Sequence, residues 1–223
     1  MATTYSIAGY DTFIYKTSPA AGNWSLARDG NGEGTGGTIT RTSVAITAAK
    51  YNARGGGFSW RVYRTFLWFD TSGISTPPSS ATLKIYGYST DDADFFAVES
   101  EHSSSLVVDD FDAIAGWSNS GVDNEGNVTK YSSEYDVSAG WSTGGYNNIT
   151  LNATALTHMA DKDDFKICLI ESVHDLRNVE PEDGVAYTTG LYYSDYTGTS
   201  RDPYIDYTVA TAGDNATFFG CNF

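Results

Sequence analysis

The sequence predicts an all-β protein: a single jelly-roll-like antiparallel β-sandwich with at most one or two short helices. Three observations carry that expectation. Sixteen Tyr, eleven Phe and five Trp stand among many Thr and Gly, a composition suited to pleated, half-buried surfaces. Phe66, Leu67, Trp68 and Phe69 are consecutive large apolar residues, which asks for cover on both faces of one strand. Just beyond, Ala81, Leu83, Ile85 and Gly87 alternate with Thr82, Lys84, Tyr86 and Tyr88, as in a strand with one core face and one more polar face. At 223 residues an all-β chain of this kind reads as one domain.

In chain order, Tyr5 to Tyr15 carries Ile7, Phe13 and Ile14 and reads as the opening strand. Residues 29–37, where Asp29, Asn31 and Glu33 alternate with glycines, read as a flexible loop. Thr38 to Thr47 alternates β-branched and small residues as a half-exposed strand. Asp70 to Gly73 and the pair Pro77, Pro78 break the chain between the two central strands, with Ile74 as a plug beneath the loop. A short strand follows from Phe95 to Glu99, and another from Tyr146 to Leu151. Asn152 fits a helix N-cap ahead of one or two turns that include His158, and Phe165 to Val173 alternates as a strand.

Charge limits the function classes. The net charge of −15 opposes nucleic-acid binding, which needs Lys and Arg to displace counterions, and opposes docking on an anionic membrane. It speaks first for solubility and second for calcium or a cationic partner. Asp29, Asn31 and Glu33 meet only part of a calcium-loop pattern, so no cofactor is expected and structural calcium is a minor reading. No window reaches the length of a membrane span, and the first residues, lacking a basic region and an apolar stretch, do not read as a secretory signal.

No zinc spacing, nucleophile elbow or phosphate loop is present, and 28 acidic residues single out no glycosidase-like pair. His174 and Asp175 are neighbours on an extended chain and face apart, which makes them structural. The chain therefore reads as non-catalytic. Ala115, Gly116, Trp117 and Ser118 recur as Ala139, Gly140, Trp141 and Ser142. A Trp in such a loop either caps an end of the sandwich or offers a flat ring to the C–H face of a sugar. Trp117, Trp141 and Trp60 are the candidate carbohydrate platforms.

Residues 1–209 form the expected domain and 210–223 a tail. Phe218, Phe219 and Phe223 in that tail are candidates for packing on a neighbouring subunit, or back on their own sandwich. The sequence leaves open whether Cys168 and Cys221 pair.

The central stretch resembles a known family. Arg61, Arg64, Phe66, Leu67, Phe69, Asp70, Ser72 and Ile74, followed by Ser80, Ala81, Thr82, Leu83, Ile85 and Tyr86, resemble the DNRLRE-type β-sandwich modules in a phage-like variant. Tyr10, Asp11 and Thr12 match the opening pattern, and Pro203, Ile205 and Tyr207 the closing one, although Asp195 and Tyr196 stand where Glu is commoner. The resemblance spans residues 5–209 and implies a non-catalytic module of surface proteins, carbohydrate-binding in some members. The expected function is a structural or decorating protein on a virus particle or similar extracellular assembly. It would be homo-oligomeric or in contact with other virion proteins through sheet edges and tail, and able to adhere to host-surface glycans. The alternative is a carbohydrate-binding module of a secreted or cell-surface protein.

Overall fold

The computed structural model describes residues 1–7, 10–18, 22–36, 42–54, 56–194 and 198–210, and the chain is an antiparallel all-β sandwich. Its strands are β1 (Ala2–Tyr5), β2 (Thr12–Ser18), β3 (Gly34–Thr35), β4 (Thr42–Asn52), β5 (Phe58–Asp70), β6 (Ser80–Asp91), β7 (Phe95–Glu99), β8 (Tyr146–Thr150), β9 (Asp164–Glu171), β10 (Ala186–Tyr192) and β11 (Tyr204–Thr208). Two short α-helices, α1 (Trp24–Arg28) and α2 (Ala153–Asp161), a 3-10 turn at Val108–Asp112 and a π-turn at Ser172–Leu176 complete it. No helix among the described residues is long and apolar enough to cross a membrane.

The two long strands organise the pairing. At Thr65, β5 is flanked by Phe13 of β2 and Leu169 of β9; at Val62 its neighbours are Lys16 of β2 and Ala48 of β4. One edge of β5 is thus shared end to end by β4 and β9. The first half of β6 pairs with β11 and β8, and residues 87–90 continue into β10, which links the two sheets. Register follows the apolar pattern: Leu83 stands opposite Ile205 on β11 and Ile149 on β8, and all three are buried.

Alternation along three strands builds two cores. Leu67 and Phe69 of β5, Phe95 and Ala97 of β7, and Phe165, Ile167 and Leu169 of β9 face β6, β8 and β11 across the sandwich. Their even-numbered neighbours Phe66, Phe96, Val98, Cys168 and Ile170 face the other way, into a second core with Trp24 and Ala27 of α1 and with Phe111, Ile114 and Val128 from the long 100–145 connection. The second half of β5 is therefore covered on both faces, as the Phe66–Phe69 run required, whereas Arg61 in its first half is exposed. The sheet of β1, β11, β6 and β8 keeps one face in water. Ile74 is buried as the plug beneath its loop.

Arg64 pins the outer layer to β5. It is fully buried, donates to both carboxylate oxygens of Asp175 at 2.7 and 2.8 Å, and reaches Asp112 Oδ1 at 2.6 Å and the carbonyl oxygens of Phe111 and Arg28 at 2.9 Å. Arg28, also fully buried, donates to the carbonyls of Asp175, Val122 and Leu176 and pairs with Asp29 at 3.0 Å. Two buried guanidinium groups are tolerable because all five donors of Arg64 end on oxygens, Arg28 makes four such bonds, and three carboxylates answer the charge. Asp70 and Arg61, near Arg64 in sequence, take no part: Asp70 is exposed and accepts from Ser72, and Arg61 is exposed over the ring of Tyr51.

Other expectations are corrected locally. The opening strand is two strands, β1 and β2. The glycine-rich stretch at 29–36 is tied down: β3 pairs with β2, Gly30 N–H donates to Asp112, Gly121 N–H donates to Asp29, and Asn31 donates to Asp109 at 2.6 Å. Helix α1 was not anticipated, although Asn23 caps it by accepting from Leu26 N–H. Asn152 caps α2 in the same way, as the sequence indicates.

Candidate functional site

The water-facing side of the β1, β11, β6, β8 sheet carries an unusual density of tyrosine. Outward residues of β6 are Thr82, Lys84, Tyr86 and Tyr88, and their cross-strand partners share that face. Tyr146 of β8 stands opposite Tyr86, Tyr204 of β11 opposite Lys84, and Tyr5 of β1 opposite Tyr204. Tyr192, at the end of β10, joins them beside Tyr86 and Tyr88.

The rings form one continuous ladder. Tyr88 meets Tyr192 at 5.8 Å between ring centres, Tyr192 meets Tyr86 at 5.3 Å, Tyr86 meets Tyr146 at 5.2 Å, Tyr146 meets Tyr204 at 5.0 Å, and Tyr204 meets Tyr5 at 5.4 Å. Four of the five contacts are edge-to-face, the arrangement that the ring quadrupole favours. Hydroxyls fix the two central rings further. Tyr86 donates to the carbonyl of Gly144 at 2.6 Å, and Tyr146 reaches across β6 to the carbonyls of Ser200 and Asp202 at 3.1 and 3.2 Å. The ends stay open, with Tyr5 50% and Tyr88 47% exposed.

Charge on this face is sparse and internally answered. Lys84 donates to Asn148 at 2.9 Å and lies 3.9 Å from Asp206, which in turn accepts from Thr3 at 2.7 Å. Arg201 lies over the rings of Tyr86 and Tyr192, at 5.0 and 4.6 Å. Burial, and then the neighbouring Tyr204 and Asp202, push the Tyr146 phenol up to about 12, so that hydroxyl stays neutral near pH 7. The result is a stiff aromatic surface with hydroxyl, amide and ammonium groups set between the rings. It can cover an apolar ligand face and exchange hydrogen bonds around it.

The three tryptophans singled out in the sequence are packed in the body of the protein instead. Trp141 is 8% exposed in the inner core, edge-on to Phe95 and Tyr135. Trp60, equally buried, belongs to the outer core and donates to Glu180 at 2.9 Å. Trp117 is half-buried; its ring lies 4.0 Å from the Arg64 guanidinium and 4.6 Å from that of Arg28, and the Phe111 ring lies 4.1 Å from Arg64. They lie in two different cores and do not form a shared platform. Phe218, Phe219, Phe223 and Cys221 lie outside the described residues, as do Asp195 and Tyr196; Cys168 is a buried free thiol.

Among the described residues, no three His, Cys, Asp or Glu side chains come together as a metal site. Asp29, Asn31 and Glu33 point to separate partners: Arg28 and Gly121, Asp109, and Thr17. Several other titratable groups fasten parts of the fold. Glu171 caps the π-turn by accepting from the N–H groups of Val173, His174 and Asp175, and His174 bonds the Val179 carbonyl at 2.7 Å. Glu99 pairs with Lys162 while His158 bonds the Tyr131 hydroxyl at 2.8 Å, fastening α2 to β7.

Sequence reasoning placed Tyr86 and Tyr88 on the polar side of their strand but had no signal for the gathering of Tyr5, Tyr146, Tyr192 and Tyr204 around them, which pairing between distant strands produces. In comparisons with known proteins, no family model and no curated protein matches the chain.

Proposed function

We propose that this chain is a non-catalytic structural or decorating protein of a surface assembly, such as the outside of a virus particle, and that it works by adhesion through the tyrosine face. The observation that carries this reading is the six-ring ladder, held stiff by its own contacts on a sheet face left to water. Large exposed aromatic patches are the usual mark of a recognition surface, and pre-ordered rings lose little freedom on binding. Two further features support it. The resemblance to DNRLRE-type modules points to surface proteins, and the net charge of −15 suits a body that must stay soluble while displayed.

A carbohydrate-binding module of a secreted protein would use the same face and would differ in what it is attached to. Two measurements test the proposal. Light scattering should give the mass of a trimer or larger, and the purified chain should adhere to host cells or particles, with adhesion lost in the Tyr86→Ala, Tyr146→Ala double variant. A strict monomer whose adhesion ignores both substitutions would sink it.

A further inference from the structure

Resting on that adhesive reading, we infer that the tyrosine face binds an uncharged saccharide chain, laid along the ring ladder from Tyr88 to Tyr5. The ligand class follows from what the face offers and lacks. Its apolar surface is aromatic throughout: no Leu, Ile, Val or Met stands among the outward residues of β6, β8 and β11. A protein partner is normally met around a centre depleted of charge, Lys and Asp above all. Here the centre holds Lys84, Asn148 and Asp206 among the rings, already joined in a polar chain.

A polyanion is disfavoured as well. The cations facing it are Lys84 and Arg201, the first beside Asp206 and the second stacked on two rings, in a chain of net charge −15. What remains is a ligand that presents flat C–H surfaces edged by hydroxyls. A pyranose has that form: ring faces cover its C–H side while amide, hydroxyl and ammonium groups trade hydrogen bonds at its rim. The succession of rings at steps of 5.0 to 5.8 Å supplies one contact after another across four strands and the end of β10, so a chain of several units fits better than a single sugar.

The test is a glycan array carrying neutral and acidic oligosaccharides, followed by calorimetry of the intact chain with the best neutral ligand. Three proteins are compared: the parent, Tyr88→Ala and Tyr5→Ala. Both substituted rings are about half exposed, so the variants should fold, and circular dichroism verifies it. We expect saturable binding of neutral oligosaccharides, tighter for longer chains and insensitive to salt, with each substitution weakening it by about tenfold. No saturable binding at about 10 mM, or binding that both variants retain in full, overturns the saccharide assignment. Binding restricted to acidic glycans and abolished by salt overturns it too. Cell or particle adhesion of the same variants separates the two levels. Adhesion lost without any glycan bound removes the saccharide and leaves the adhesive face standing, whereas adhesion unchanged removes both.

Discussion

Asp175 grips Arg64 with both carboxylate oxygens, at 2.7 and 2.8 Å, where neither side chain meets solvent. The pair joins β5 to the π-turn after β9, and Asp112 joins it from the 3-10 turn at 2.6 Å. Replacing Asp175 by Asn leaves a buried guanidinium short of one negative charge, so unfolding free energy should drop by about 3–5 kcal/mol. Arg61→Ala, three residues away on the exposed side of β5, should change it by less than about 0.5 kcal/mol. Urea titrations of both variants would check this, and equal effects would mean that Arg64 is not the residue that ties the outer layer down.

The paired Ala-Gly-Trp-Ser segments should respond differently to the same change. Trp141→Ala removes a ring packed on Phe95 and Tyr135 in the inner core, and should cost about 3–5 kcal/mol. Trp117→Ala strips the aromatic cover from Arg28 and Arg64 at 4.6 and 4.0 Å; a desolvated contact of this type contributes about 2 kcal/mol. Neither substitution should touch adhesion except through stability. A folded Trp141→Ala protein of parental melting temperature that no longer adheres would move the binding surface back to the tryptophans.

Acid should expose His102. This ring is 1% exposed; its Nδ1 bonds Ser100 at 2.8 Å, and Nε2 is buried without a partner among the described atoms. Burial, helped by the nearby Lys166 charge, lowers it to about 3 from an ordinary 6.5. The folded pKa is depressed, so the neutral ring's contribution is complete above about pH 6.5 and is lost as pH falls toward about 3, a loss of a few kcal/mol. His102→Leu should flatten that part of the pH–stability curve. An unchanged slope between pH 6.5 and 3 would show that carboxylates alone, such as Glu125 held low by Arg177, set the acid limb.

How much of this was legible depended on whether the determining contacts were local. Phe95–Glu99 and Tyr146–Thr150 lie where the alternation put them, and Asn152 caps its helix, because strand period and capping act within a few residues. The double cover of Phe66 to Phe69 was legible too, since four consecutive apolar residues leave no polar face. Arg64 finds its carboxylates 48 and 111 residues away, where no local pattern points to them. Trp117 and Trp141 sit in identical four-residue contexts and end in different cores. The tyrosine face was the least visible feature: each member has an ordinary local setting, and only the pairing of β1, β11, β6 and β8 collects them.

Gly87 is where this pairing is most constrained. It occupies a core-facing position of β6, opposite Leu191 of β10, and its N–H donates to the carbonyl of Gly145 at 3.1 Å. A methyl group there would lie 2.0 Å from the Ser142 carbonyl oxygen and 2.8 Å from Trp141 Nε1. The first contact is with backbone held by Asn147, which accepts from Ser142 N–H at 2.7 Å and donates back to its carbonyl at 3.0 Å, so the loop cannot simply swing aside. Gly87→Ala should therefore push the 141–145 loop off the sheet, costing about 3 kcal/mol as overpacking, at the upper end for one added methyl. Because Gly144 also accepts from the Tyr86 hydroxyl, the displaced loop should free that ring and weaken binding at the tyrosine face in the same variant. Melting curves and adhesion measured together would check the coupling; a Gly87→Ala protein as stable and as adhesive as the parent would show that the loop does not brace the ladder.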